Sequence, residues 1–129
     1  MITTLDNFNK KEFELSLIFA IKNNEPLSKI KKLLDKRHDI NIKCLIDGWT
    51  PLLWATYYKN IKIIKFLIDN GADMQHKALH HIRGTKRMVD FYDLVVDKIE
   101  IGDERDYKGV KKWIEKNYPK FVAAKKYNL

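Results

Sequence analysis

Histidine, cysteine and clustered carboxylates are the side chains of this 129-residue chain with the reach for metal or covalent chemistry. His76, His80 and His81 lie close together, and the spacing of His76 and His80 would place two imidazoles on one helix face, an arrangement that suits zinc. The stretch around them reads as a hairpin loop, where that spacing fixes no geometry, so all three are expected to be solvated. Cys44 is the single cysteine and has no Cys-x-x-Cys companion, which leaves no disulfide framework and no two-ended zinc pattern. As a nucleophile it would need a base and an enclosing pocket, and a hairpin tip offers neither. Ser16 and Ser28 sit in apolar or lysine-rich helical sequence without a nucleophile elbow. The five glycines are too dispersed to cradle a phosphate. The stretch Asp103-Glu-Arg-Asp106 lacks the alternating acids of a calcium loop. The chain is therefore expected to be no enzyme, with no catalytic residue, metal or cofactor.

The elements around these residues are compact ones. Hydrophobic residues make up 45% and charged residues 33%, with five glycines and three prolines, which suits one folded domain over 1–129 and excludes wholesale disorder. The longest apolar run, Leu17–Ile21, is far short of the roughly 20 residues of a membrane span. The first residues lack the basic-then-apolar order of a signal peptide. The expected setting is a reducing, cytoplasmic one without membrane contact, with specialised secretion or a host-cell destination left open.

Charge is distributed unevenly. The net charge is +8, and the 22 residues from Lys108 to Leu129 contribute most of it, with seven lysines against one glutamate. Lys108, Lys111, Lys112, Lys116, Lys120, Lys125 and Lys126 form a candidate phosphate-binding set. Against that use, the whole chain holds only four arginines, the residue that nucleic-acid sites favour for bidentate and stacked contacts.

The chain also repeats itself. Leu17-Ile-Phe-Ala20 aligns with Leu52-Leu-Trp-Ala55, and residues 33–41 align with residues 67–75. In each copy a cluster with a central small residue precedes a lysine-bearing helix. Leu27, Ile30, Leu33 and Leu34 mark the apolar stripe of the first such helix; Ile61, Ile64, Leu67 and Ile68 mark the second. Between the copies, Asp47-Gly-Trp-Thr-Pro-Leu52 reads as a turn and helix start, with Gly48 at positive φ, Thr50 as N-cap and Pro51 in the first helical position. Asn70-Gly-Ala-Asp73 reads as a helix stop at Gly71.

Residues 47–77 resemble an ankyrin repeat along their whole length. Asp47, Gly48, Thr50, Pro51, Leu52, Ala55, Leu67, Gly71, Ala72 and Asp73 carry the resemblance. Leu53 stands where that pattern has histidine, Lys59-Asn60 where it has Gly-His, and Gln75 where it has asparagine. Residues 13–46 resemble a weaker, N-terminal copy that keeps Asp39-Ile-Asn41 and lacks Thr-Pro-Leu. The implied fold is an all-α, short ankyrin solenoid of helix-turn-helix repeats joined by hairpin-like loops.

Residues 78–129 are expected to form a degenerate repeat plus a C-terminal capping helix. Their predicted helices are Thr85–Lys98, Asp106–Asn117 and Lys120–Tyr127, with Ile101–Arg105 as a loop. Met88, Phe91, Leu94, Val95 and Ile99 mark the first helix's apolar face.

The resemblance further implies recognition of a partner protein through hairpin tips and the concave first-helix face. Carried onto this chain, the contact positions are Leu45, Ile46, Trp49, Tyr57, Tyr58 and Lys77, with Lys22, Asn23 and Lys43 from the weaker copy. An aromatic centre rimmed by lysines suits an acidic or mixed-charge protein. The chain is expected to be monomeric alone and to inhibit, tether or present its partner, with a bacterial inhibitor, immunity-type protein or adaptor as its role. Nucleic-acid association through the lysine-rich C-terminal stretch is the alternative.

Overall fold

A computed structural model describes residues 4–37, 40–44, 47–103 and 105–127, together with all of their side chains except those of 4–10, 36 and 37. In chain order the elements are α1 (Thr4–Lys22), α2 (Leu27–Arg37), α3 (Pro51–Tyr57), α4 (Ile61–Asp69), β1 (Ala78–Ile82), β2 (Thr85–Val89), α5 (Phe91–Glu100), α6 (Tyr107–Asn117) and α7 (Pro119–Lys126). Helices α1/α2, α3/α4 and α5/α6 form three packed pairs, and α1, α3 and α5 pack side by side through the stack. Helix α7 closes the far end against α6.

Each pair exists because neither of its helices can bury its apolar stripe alone. In α4, Ile64 and Leu67 of the expected stripe are buried and Ile61 and Ile68 are half-buried; Ile63, outside that stripe, is buried as well, and Lys62 and Lys65 stay exposed. Helix α3 is only seven residues long and buries Leu52, Leu53, Ala55 and Thr56. The Thr56 hydroxyl is satisfied by donating to Leu52 O at 2.8 Å. Thr50 and Pro51 start α3 as expected, although the Thr50 side chain makes no capping bond. Gly71 follows the Asn70 C-cap at φ +100°, a conformation that L side chains rarely adopt.

The expectation of an all-α chain is corrected by β1 and β2, an antiparallel pair in which Ala78 faces Val89 and Ile82 faces Thr85. A two-residue turn makes this hairpin: Arg83 and Gly84 both have positive φ, 47° and 80°, the twist that closes adjacent strands. The helix expected from Thr85 therefore starts at Phe91. Its start is fixed by a reciprocal capping box, in which the Asp90 carboxylate accepts from the Asp93 amide and the Asp93 carboxylate accepts from the Asp90 amide. Met88 leaves the predicted helix face and is 52% exposed on β2, whereas Phe91, Leu94 and Val95 are buried. Helices α6 and α7 begin within one residue of their expected starts, and residues 101–103 and 105 connect α5 to α6.

Among the described residues, no helix is long and apolar enough to cross a membrane.

Candidate protein-binding surface

Helix α3 spends one side on the core and has one side left. Trp54 and Tyr57 are three residues apart on that side, and Tyr58 caps the helix one position on. All three are half-buried. They pack on one another: Tyr57 and Tyr58 meet edge to face at 5.0 Å, and Trp54 lies nearly parallel to Tyr58 at 6.2 Å. With Trp49 and Asp47 before the helix, Leu79, His80 and His81 on β1, and Lys98 on α5, they line an open groove of about 280 Å³. The Lys98 ammonium sits 4.6 Å from the centre of the Tyr57 ring, over its face.

Trp49 does not present the free indole expected of it. It is only 6% exposed, and its Nε1 donates to Leu79 O at 2.7 Å, which ties the turn before α3 to strand β1. Its ring packs 4.6 Å from Trp54 and 5.8 Å from Tyr57, so it forms the floor of the groove. A large apolar ring with one donor can be buried only where that donor finds an acceptor, and the hairpin supplies one. Trp54 Nε1, by contrast, is buried without a hydrogen-bond partner.

The histidines differ from the solvated loop residues that the sequence suggests. His76 Nε2 is 2.8 Å from Gly48 O, a second tie between adjacent turns. His80 is buried, with Nδ1 3.5 Å from Asp97 Oδ2 on α5. Arg87 on β2 reaches the other oxygen of Asp97 at 3.2 Å. Burial holds His80 below the usual histidine range, and the Asp97 hydrogen bond only partly offsets it. His81 alone of the three is exposed.

The other expected contact residues are scattered. Lys22 borders a second groove beside Tyr58. Asn23 is exposed, with its amide donating to Phe19 O at 2.8 Å. Lys43 and Lys77 are exposed and do not line the aromatic groove. Leu45 and Ile46 lie outside the described residues.

The lysines of the alternative, phosphate-binding set are divided. Lys125 bridges Asp90 at 2.6 Å and Asp93 at 2.9 Å, pinning α7 to the start of α5. Burial pushes the Asp90 carboxyl up. Burial works upward on Asp93 too, but the Lys125 ammonium and the Asp90 amide outweigh it and leave that carboxyl below its ordinary value. Lys111 pairs with Glu115 at 3.6 Å, and the Lys126 ammonium lies 5.5 Å from the Tyr127 ring centre. Lys108, Lys112, Lys116 and Lys120 are exposed.

Trp54, Leu79, His80 and Lys98 are groove residues that sequence reasoning missed. Trp54 had a signal, its helical spacing from Tyr57 and Tyr58. The other three reach the groove only because β1 and α5 pack beside α3, which no local pattern records.

The family model described as ankyrin repeats, three copies, matches residues 9–91. An ankyrin repeat and SAM domain-containing protein 6 of Rattus norvegicus is 36% identical over 62 residues, 48% of this chain and 7% of that protein. An ankyrin repeat protein of Rickettsia felis is 44% identical over 56 residues, 43% of this chain and 19% of its own length. Alpha-latrocrustotoxin-Lt1a of Latrodectus tredecimguttatus is 35% identical over 81 residues, 59% of this chain and 5% of the toxin. The matched stretch is thus a small part of each of these relatives.

Proposed function

The chain belongs to the ankyrin-repeat family, and from that premise we propose that it binds a partner protein through the groove of α3, β1 and α5. Ankyrin repeats are generally protein–protein interaction modules and typically non-catalytic. The observation that carries the proposal is the set of half-buried aromatics, Trp54, Tyr57 and Tyr58, lining an open groove beside Lys98 and His81. Side chains of this kind bring large, rigid area to an interface at small entropic cost. Held on a helix and walled by a hairpin, they are already ordered before a partner arrives. The partner is acidic or of mixed charge, and the protein acts as a single module that inhibits, tethers or presents it, as a bacterial inhibitor, immunity-type protein or adaptor would.

The test is affinity capture from cells that make the protein, with the unmodified chain beside a Trp54→Ala/Tyr58→Ala variant and a nuclease-treated parallel. Trp49 is the wrong residue to change, because its loss removes the groove's floor. A prey protein lost with the double variant and indifferent to nuclease is the expected result. Prey that survives the double variant but disappears with nuclease would overturn the proposal and move binding to the C-terminal lysines.

A further inference from the structure

We infer that the bound segment is an acidic peptide with one large apolar side chain next to its carboxylates. The inference rests on the reading above and specifies the ligand of the same surface. A second groove, of about 370 Å³, lies between the turns that close the first and second helix pairs. Lys22, Lys59 and Lys62 line it, and no carboxylate does so among the described residues. It is held in shape: Asn60 Nδ2 donates to Asn24 Oδ1 at 2.9 Å, joining the two turns, and Asn60 Oδ1 accepts from the Ile63 amide at 3.2 Å. The Lys59 ammonium lies over the Tyr107 ring of α6, 4.9 Å from its centre, which fixes where its charge sits.

Tyr58 lines both grooves. A ligand crossing Tyr58 therefore meets an aromatic cleft on one side and a lysine-lined groove on the other. An extended peptide advances about 3.3 Å per residue, so its apolar anchor and its acids must be near neighbours in sequence.

Single-stranded nucleic acid also combines flat rings with negative charge, but the groove suits it poorly. Base stacking needs a free ring face. Here Trp54 and Tyr58 lie against each other, Lys98 covers Tyr57, and Trp49 is buried. Neither groove has an arginine in its lining to stack on bases. What the aromatic cleft offers is a wall of rings packed on one another over the buried Trp49, which fits a leucine, phenylalanine or tryptophan side chain.

The experiment pans displayed random dodecapeptides on the full chain, then measures selected peptides and fluorescein-labelled oligouridine by fluorescence anisotropy. The expected peptides carry a large apolar residue within about three positions of two or more acids. Tyr58→Ala and the surface pair Lys22→Glu/Lys62→Glu should each weaken them by about tenfold or more. The charge-reversed pair keeps the test sound should Tyr58→Ala disturb the fold. Tyr58-dependent peptides that are neutral or basic would overturn the inference and leave the groove a protein-binding site. Acidic peptides indifferent to Tyr58→Ala would also overturn it, by showing charge attraction alone. Tighter, Tyr58-dependent binding of oligouridine, or no selected peptide at all, would overturn the inference and the protein-binding proposal together.

Discussion

Two buried side chains, Trp49 and His80, fasten the hairpin to the helices, and they do so by different physics. Trp49 combines apolar burial with one neutral hydrogen bond to Leu79 O, so replacing it separates the two contributions. Trp49→Phe keeps most of the ring and leaves the Leu79 carbonyl without its donor, at a cost of about 1–3 kcal/mol. Trp49→Ala also opens a cavity under Trp54 and Tyr57, and about 3–5 kcal/mol is expected from truncating a core aromatic. Urea unfolding of both variants checks the difference: an unchanged Trp49→Phe would mean the hydrogen bond contributes nothing, and equal losses that the ring's burial adds nothing to it. His80 responds to pH instead. Its folded-state pKa is lowered, chiefly by burial, so the unfolded chain takes up the proton first as pH falls. Its contribution is therefore complete above the ordinary histidine value and is lost progressively below it. Asp97, Arg87, His81 and Lys98 face or flank it; the Asp97 hydrogen bond opposes the shift, and Lys98 and His81 reinforce it. The unfolding midpoint should fall between about pH 7.5 and pH 5.5, more in the native chain than in His80→Gln. The same slope in both would exclude His80 as its source.

At the scale of elements, the helices with clean apolar spacing are legible in the sequence, and the hairpin is not. Ile61, Ile64, Leu67 and Ile68 announce α4, and Gly71 announces its end. Met88 stands three residues ahead of Phe91, so one helical stripe runs from it through Phe91, Leu94, Val95 and Ile99. What breaks the stripe is the positive-φ pair Arg83–Gly84 together with the Asp90 cap, and only Gly84 and the Asp90/Asp93 spacing leave a trace in sequence. The groove divides in the same way: Tyr57 and Tyr58 at the end of α3 are legible and Trp54 is spaced to join them, whereas Lys98 and His80 arrive by tertiary packing. The capping helix α7 illustrates why charge alone misleads. Lys125 belongs to a lysine-rich run, yet it neutralises Asp90 at the N-terminus of α5 while Phe121 packs 5.5 Å from Phe91. Lys125→Met should cost about 1–2 kcal/mol, below the figure for a fully buried pair because the ammonium is partly solvated. Hydrogen exchange should quicken in α7 first, and unchanged protection there would mean the helix is held by Phe121 alone.

The whole molecule is a one-dimensional stack, so a residue's importance depends on which repeat holds it. The middle pair, α3/α4, has a neighbour on both sides: α1 packs against α3 from one side and α5 from the other. Among the described residues, the first pair has α3 alone beside α1. Its outer side shows the mismatch, since Leu15 and Phe19 on α1 are 59% and 60% exposed while Leu17, Ala20 and Ile21 are buried. In such a stack, stability is close to a sum of repeat terms and interface terms. Ile64 and Ile30 are equivalent in chemistry and both are 0% exposed, one in the middle pair and one in the first. Truncating either to alanine removes the same methyl and methylene groups and costs about 2–5 kcal/mol locally. The consequences should differ. Ile64→Ala weakens the pair that joins both ends, so one cooperative transition should move to lower urea with its shape unchanged. Ile30→Ala weakens an end, so α1 and α2 should lose hydrogen-exchange protection at urea concentrations where α3 to α6 keep theirs. The aromatic groove lies on α3, β1 and α5, but the lysine groove takes Lys22 and Asn24 from the first pair, so peptide binding should weaken as α1 and α2 fray and be lost with the middle pair. Coincident loss of protection in all three pairs for both variants would show that the chain unfolds as a single unit, with its interfaces stronger than its repeats.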